Sequence, residues 1–395
     1  MTTNQYIESI LKALREVLPD SGKNIGLHEP EFSGNEWSYV KECLDTGWVS
    51  SVGSYVDRFE RMMEEFTGAN HAIAVVNGTA ALHLCLRLLD VRQGDEVIVP
   101  TLTFVATANA VAYCNATPHF ADVSESTLGI DPEKLRNYLR DTTLISGDEC
   151  FNRRTGARIP AIIPMHTFGH PVEVDAILDV CQEFHISLIE DAAESLGSYY
   201  KGIHTGRFGK LAALSFNGNK IVTTGGGGAI LTDDPALGKL AKHLSTTARV
   251  PHRWSFLHDC VGFNYRMPNL NAALGCAQFE QLPEHIARKR SLAAAYLEAF
   301  RSIEDVRFFV EPANCQSNYW LNTLVLSLDR LDTRDAILEL TNSSGIQTRP
   351  AWSLMHKQKM FQDCPRTDLT TAERLERQII SIPSSASLGI RFSHA

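Results

Sequence analysis

The chain has 395 residues, of which 44% are hydrophobic and 21% charged, the balance of an ordinary soluble globular protein long enough for two or three domains with a substantial core. A formal net charge of −9 excludes a broad nucleic-acid surface but leaves room for a small anionic ligand held by a few local arginines. The nine cysteines are scattered without a C-x-x-C pair, which argues against a disulfide scaffold or a zinc site and for a reducing, cytoplasmic setting.

From the N-terminus, "MTTNQYIESILKALREVL" carries acidic residues and no long apolar core, so no signal peptide is expected, and no run of some twenty apolar residues suggests a membrane span. "HAIAVV" (71–76) predicts a buried strand and "TAALHLCLRLLD" a helix after it. "DEVIVP" (95–100), "ATPHFADV" (116–123), "RIPAIIPMH" (158–166), "HISLIED" (185–191) and "KLAALSF" (210–216) predict further strands. "DPEKLRNYL" predicts a helix with Asp131 as N-cap and Pro132 in its first position, and "EVDAILDVCQEF" another. Strands alternating with helices imply a mostly parallel sheet covered on both faces. From Asn271 a long helical stretch begins, followed by mixed strands and helices. A boundary near 260–270 therefore divides a large α/β unit, 1–265, which includes the N-terminal helix, from a smaller α/β unit, 266–395.

Four places in the first unit can carry chemistry. In "VVNGTAALHL" a strand, a turn and a helix follow one another, and free N–H groups at a helix start attract phosphate; Gly78 would let an anion approach the main chain. A plain turn capped by Thr79 is the alternative. "SLIEDAAES" ends an apolar strand in Glu190-Asp191, where a carboxylate could meet a cationic ring nitrogen or simply cap a helix. Phe104 in "TLTFVATANAV" offers a stacking face, or core packing. Lys220, in the turn after "KLAALSF" and five residues beyond Ser215, suits an imine-forming lysine if it lines a cleft, and is otherwise a surface residue.

The run Gly225 to Gly228 passes directly into "AILT", so it reads as close backbone approach rather than as a linker. It is no P-loop, because the lysine precedes the glycines. A phosphate site, a stacking ring, an acid for a ring nitrogen and a lysine for an imine together specify pyridoxal 5′-phosphate.

With those residues in place the chain resembles the DegT/DnrJ/EryC1/StrS family of sugar aminotransferases, through "GLHEPEFSGNEWSYVKECLDTGWVSSVG", "GFNYRMPNLNAALG", "TRPAWSLMH" and "SIPSSASL". The resemblance implies an aspartate-aminotransferase-like fold (fold type I). It implies that Lys220 bonds the cofactor, Asp191 pairs with its ring nitrogen, Phe104 stacks on the ring, and Gly78, Thr79 and Ser215 bind the phosphate. Glu194 falls where many members have Gln or His near the ring hydroxyl, and Gly226 where many carry glutamate.

Asn264 matches a residue that reaches the phosphate from a neighbouring subunit, with Arg266 in the same loop, which implies a homodimer with shared sites. Trp48, Ser50 and Ser51 fall in a loop that borders the sugar pocket in relatives. His166 is a candidate for the sugar or cofactor edge, or a core histidine, and Arg249 and Arg253 are candidates for a diphosphate.

Within the family, "SFNGNK" and "GGGG" look most like the subgroup acting on UDP-linked 4-keto-6-deoxy-N-acetylhexosamines with L-glutamate as donor. A GDP-linked 4-keto-6-deoxymannose is the alternative substrate. Lys220 argues against sugar dehydration, which would need histidine there. Retention of Lys220, Asp191 and Asn264 argues against a non-catalytic regulator, and the absence of an early G-x-G-x-x-G argues against a dehydrogenase.

Overall fold

The computed structural model describes residues 2–20 and 24–392. The apolar runs form a seven-stranded sheet: β1 (His71–Val75), β2 (Glu96–Pro100), β3 (Thr117–Ala121), β4 (Ala161–Ile162), β5 (Ser187–Asp191), β6 (Leu211–Ser215) and β7 (Gly228–Thr232). Their order is β1-β7-β6-β5-β4-β2-β3. β7 pairs antiparallel with both β1 and β6, and every other pairing is parallel. The strand expected across 158–166 is pared to Ala161–Ile162, because Pro160 and Pro164 on either side have no N–H to give a ladder.

The helices of the chain are α1 (Thr3–Val17), α2 (Glu36–Thr46), α3 (Ser54–Thr67), α4 (Gly78–Leu88), α5 (Val105–Tyr113), α6 (Pro132–Thr142), α7 (Val174–Phe184), α8 (Pro235–Ser245), α9 (Asn269–Phe300), α10 (Arg334–Ser343) and α11 (Thr370–Gln378). α6 starts as its sequence requires: Asp131 Oδ1 accepts from the N–H groups of Glu133 and Lys134, with Pro132 in the first turn.

Alternate residues of the strands face opposite layers. Ile73, Val75, Val99 and Ile230 pack under α4, α5 and α8 through Leu84, Val111 and Ala241. On the other face Ala72, Ala74, Leu214 and Leu231 meet α3 and the first half of α9 through Phe59, Ala272 and Phe279. Farther along that face Ile98, Ile162 and Leu188 meet α6 and α7 through Leu135 and Ile177.

The C-terminal part holds an antiparallel sheet of β8 (Val306–Phe308), β9 (Asn322–Leu326), β10 (Arg349–Pro350) and β11 (Ile379–Ile382), in the order β8-β9-β11-β10. The second half of α9 packs on it through Leu292, Tyr296 and Phe300, so this one helix runs through both cores. The sequence reading groups the N-terminal helix with the large unit. Its stripe of Tyr6, Ile10 and Leu14 is instead buried against the small sheet, because that four-residue spacing matches the apolar face left by α9. Among the described residues no helix is long and apolar enough to cross a membrane. All nine cysteines are free.

Candidate active site

A cavity of about 330 Å³ opens where the parallel strands end, the edge at which open α/β sheets bind ligands. Gly78, Thr79, Phe104, Asp191, Glu194, Ser215 and Lys220 all line it. Segments separated by more than a hundred residues thus converge on one space.

The turn into α4 is built by close packing. Asn77, and not Thr79, caps α4: its Oδ1 accepts from the Ala80 N–H at 2.8 Å. The N–H groups of Gly78 and Thr79 lie in the first helical turn, where the helix supplies no acceptor and its dipole favours an anion. A Cβ at Gly78 would stand 2.9 Å from Ser215 Cβ and 3.2 Å from its Oγ, so only glycine lets this turn close on the serine. The glycine run serves the same packing from below. A Cβ at Gly228 would lie 2.5 Å from the Asn77 carbonyl carbon, and Gly225 has φ +76°. At Gly226 a Cβ meets nothing within 4 Å.

Asp191 ends β5, and no helix follows for it to cap. Its Oδ2 accepts from Thr107 Oγ1 at 2.7 Å and its Oδ1 from the Ala193 N–H at 3.2 Å. Burial raises its pKa above the ordinary value, and the bond from Thr107 works in the opposite sense. Lys220 Nζ stands 3.2 Å from Glu194 Oε1 and 3.8 Å from the centroid of the Trp320 ring. Glu194 also accepts from the Phe168 N–H at 2.9 Å. Burial pushes its carboxyl up to about 7, against the pull of Lys220. Phe104 precedes α5 at the cavity mouth, half exposed, with its edge toward Trp352 at 6.3 Å between centroids.

Other candidates lie elsewhere. His166 does not reach the cavity. It is fully buried, its Nδ1 accepts from the Val172 N–H, and its Nε2 meets Glu190 at 3.0 Å, so both ring nitrogens are used in the core. Glu190 is likewise a structural clamp, accepting from the N–H groups of Gly206, Phe208 and Gly209. Burial alone would raise its carboxyl, but the bonds from His166 and these N–H groups hold it below the ordinary value.

Trp48 and Arg266 line a separate cavity of about 490 Å³ with Tyr55 and Asp57. In that loop the Ser50 carbonyl accepts from the Asn269 N–H, and Ser51 is half-buried. Arg249 and Arg253 are exposed on the segment after α8, each over an aromatic ring, Phe256 and Trp254 respectively. Asn264 is exposed at the base of that segment, bridged to Thr246. Within one chain none of these lines the Lys220 cavity.

The sequence reading missed Thr107, Asn217, Asn219, Trp320 and Trp352, all of which border or serve the site. Thr107 had a signal, since it lies in the first turn of α5, three residues after Phe104. Trp352 lies within "TRPAWSLMH", where nothing in the local pattern marks it as facing the site. Trp320, in "SNYWLN", arrives from the small unit and carries no local mark.

The residues present fit pyridoxal phosphate. An amine and a buried carboxylate face one cavity, with an anion cradle beside them that a single Cβ would fill. Fold and site together define a pyridoxal phosphate-dependent aminotransferase. The chain belongs to the DegT/DnrJ/EryC1/StrS aminotransferase family, whose profile matches residues 30–390.

It is 38% identical over 86% of its length to EpsN of Bacillus subtilis (strain 168), provisionally named a pyridoxal phosphate-dependent aminotransferase, and covers 84% of that protein. It is 36% identical to the GDP-perosamine synthase of Caulobacter vibrioides, over 92% of this chain and 94% of that one. Among solved structures, the aminotransferase TlmJ from Streptoalloteichus hindustanus superposes with a TM-score of 0.83 at 26% identity, covering 94% of this chain and 96% of its own.

Proposed function

We propose that the protein transfers an amino group from L-glutamate to C4 of a nucleotide-linked 4-keto-6-deoxy sugar, for the biosynthesis of a surface glycan in the cytoplasm. The observation that carries the reading is the convergence of Lys220, Asp191 and the Gly78–Thr79–Ser215 turn on one cavity. When bound, pyridoxal phosphate supplies an electron sink for the pair released at the donor's α-carbon and carries nitrogen between the substrates. Gly78, Thr79 and Ser215 bind its phosphate at the start of α4. Asp191, fixed by Thr107, holds a proton at the ring nitrogen. Lys220 anchors the cofactor and, when released, carries the proton removed from the α-carbon. Phe104 orients the ring from the cavity mouth.

Asn264 and Arg266 complete the site from a second copy in a homodimer. The exposure of Asn264 outside its own cavity supports this. Trp48, Ser50, Ser51, Arg249 and Arg253 border the sugar nucleotide in that assembly. For the nucleotide, the motifs "SFNGNK" and "GGGG" favour a UDP-linked 2-acetamido-4-keto sugar. Relatives named GDP-perosamine synthase, at 33–36% identity, favour a GDP-linked 4-keto-6-deoxymannose.

Incubation with glutamate and a panel of UDP- and GDP-linked 4-keto sugars, read by product mass, tests the reading. Amino sugar from one class only assigns the nucleotide; none from either, with cofactor bound, refutes the proposal. Lys220→Ala should bind cofactor and turn over negligibly. Mixed Lys220→Ala and Asn264→Ala subunits should regain activity if the site is shared, and no recovery despite subunit exchange refutes the sharing.

A further inference from the structure

Beside the catalytic lysine stands a tryptophan whose placement is more tightly determined than core packing requires. Trp320 is held at three polar points. Its indole Nε1–H donates to the Asn219 carbonyl at 2.9 Å, next to Lys220 in the chain. Its backbone N–H donates to Asn318 Oδ1 at 2.8 Å, and its carbonyl accepts from Lys289 Nζ at 3.2 Å. Asn318 in turn donates through Nδ2 to the carbonyls of Glu194 and Leu196, both at 2.9 Å, so one side chain ties Trp320 to the backbone of the glutamate that faces Lys220.

The neighbouring chain yields to this arrangement. At Gly169, with φ +94°, a Cβ would fall 2.0 Å from Asn318 Oδ1 and 2.9 Å from the Trp320 nitrogen. Lys289 is unusual as well. It is fully buried, forms no ion pair among the described residues, and spends its amine on the carbonyls of Trp320 and Ser384. A lysine so desolvated is costly to keep unless it supports something.

What these bonds present to the cavity is the indole face, with Lys220 Nζ above it at 3.8 Å from the centroid and Glu194 at 3.2 Å on another side. A cation over an indole in a partly dry site is attracted by the ring quadrupole. A lysine side chain freed into a cavity otherwise samples many rotamers.

We propose that Trp320 is a positioning residue whose indole face seats the Lys220 ammonium whenever the lysine is not bonded to the cofactor, and that buried Lys289 keeps the indole in place for this. Lys220 takes the α-carbon proton as the neutral amine, and the seat holds the ammonium so formed at the cavity until that proton is delivered, which rests on the aminotransferase reading above. Loss of the face therefore slows turnover while leaving donor binding nearly intact.

The first test uses cofactor-free protein. Its lysines are reductively ¹³C-methylated and the Lys220 resonance is identified by its absence in Lys220→Arg. The indole should displace that resonance upfield in the natural protein, less in Trp320→Phe, and not at all in Trp320→Leu. A Lys220 resonance at the position of exposed lysines in the natural protein overturns the proposal, whether or not the leucine variant folds. So does one that Trp320→Phe or a folded Trp320→Leu leaves unmoved.

The second test is the glutamate half-reaction. Trp320→Leu should lose about tenfold in kcat with KM for glutamate within about twofold, and Lys289→Met should fall between it and the natural protein. A loss confined to KM overturns the proposal. A displaced resonance in a natural protein that transfers no amino group would refute the aminotransferase reading and leave the seat standing.

Discussion

Two alanine substitutions, two residues apart in the glycine run, should have opposite effects. At Gly228 the added Cβ would lie 2.5 Å from the Asn77 carbonyl carbon and 2.6 Å from both Asn77 O and Gly78 N, where ordinary contact begins near 3.4 Å. The obstruction is the Asn77–Gly78 peptide itself, so no rotamer relieves it. Either β7 peels from β1, to which Gly228 is paired opposite Val75, or the Asn77–Gly78 turn moves. Overpacking of this kind costs about 1–3 kcal/mol, and the rigid neighbours place Gly228→Ala at the upper end. Because the displaced turn carries the start of α4, cofactor affinity should fall about tenfold or more.

Gly226 has no heavy atom within 4 Å of a Cβ and no left-handed φ. Gly226→Ala should stabilise the fold by about 0.4–1 kcal/mol through the unfolded chain alone. Urea unfolding of the cofactor-free variants gives the first quantity, and equilibrium dialysis with pyridoxal phosphate the second. Equal effects of the two substitutions would refute the packing account of the glycine run.

Glu194 gives a pH signature. Its pKa is raised from 4.5 to about 7 in the folded chain, so the folded state holds this proton more tightly than the unfolded one. Stability drawn from it is complete below the unfolded value and is lost as pH rises through the folded one, a change of about 3 kcal/mol. Glu194→Gln should remove that slope from unfolding free energies of cofactor-free protein between pH 4 and about 8, and an unaltered slope counts against the buried carboxyl. Glu190 is lowered instead, so its contribution is present above the ordinary carboxylate range and lost on acidification. Glu190→Gln should cost about 3 kcal/mol at neutral pH by chemical denaturation, and a loss under about 0.5 would contradict its clamp role. Thr107→Val removes the donor to Asp191 Oδ2, and cofactor binding should weaken about tenfold; dialysis showing no change would refute the bond's importance.

Much of the site could be read from sequence because its parts sit at strand ends, where alternation of apolar residues stops and a polar residue follows. Asp191 after "SLIE", Gly78 after "AIAVV" and Lys220 after "LAALSF" all mark such ends. Sequence patterning could not say which polar residue faces the cavity and which faces back. Glu190 and Asp191 are neighbours on one strand, and the alternation of the pleat sends one to a loop clamp and the other to the site. His166 stood open between the cavity edge and the core, and its bonds to Glu190 and the Val172 N–H put it in the core. Trp320 required the whole tertiary fold, because of its anchors only Asn318 is local, while Asn219 and Lys289 lie 101 and 31 residues away. For the N-terminal helix, local patterning shows an apolar stripe but not its partners, which lie near residues 292–300 and in the small sheet.

The reversed strand β7 has a mechanical consequence. Parallel strands must be joined by crossovers that leave at one end of the strands and return at the other. A strand running the opposite way lets the chain leave and re-enter at the same end, and residues 216–227 do so with Ser215 facing Gly228. The loop is closed again inside itself, Phe216 N–H to Gly227 O at 2.8 Å and Thr224 N–H to Phe216 O at 3.0 Å. Lys220 thus hangs between two adjacent strands like a load on a bracket fixed at both ends. The same bracket is packed, through Gly228, on the Asn77–Gly78 turn at the start of α4, so the lysine loop and that turn are fixed to one support.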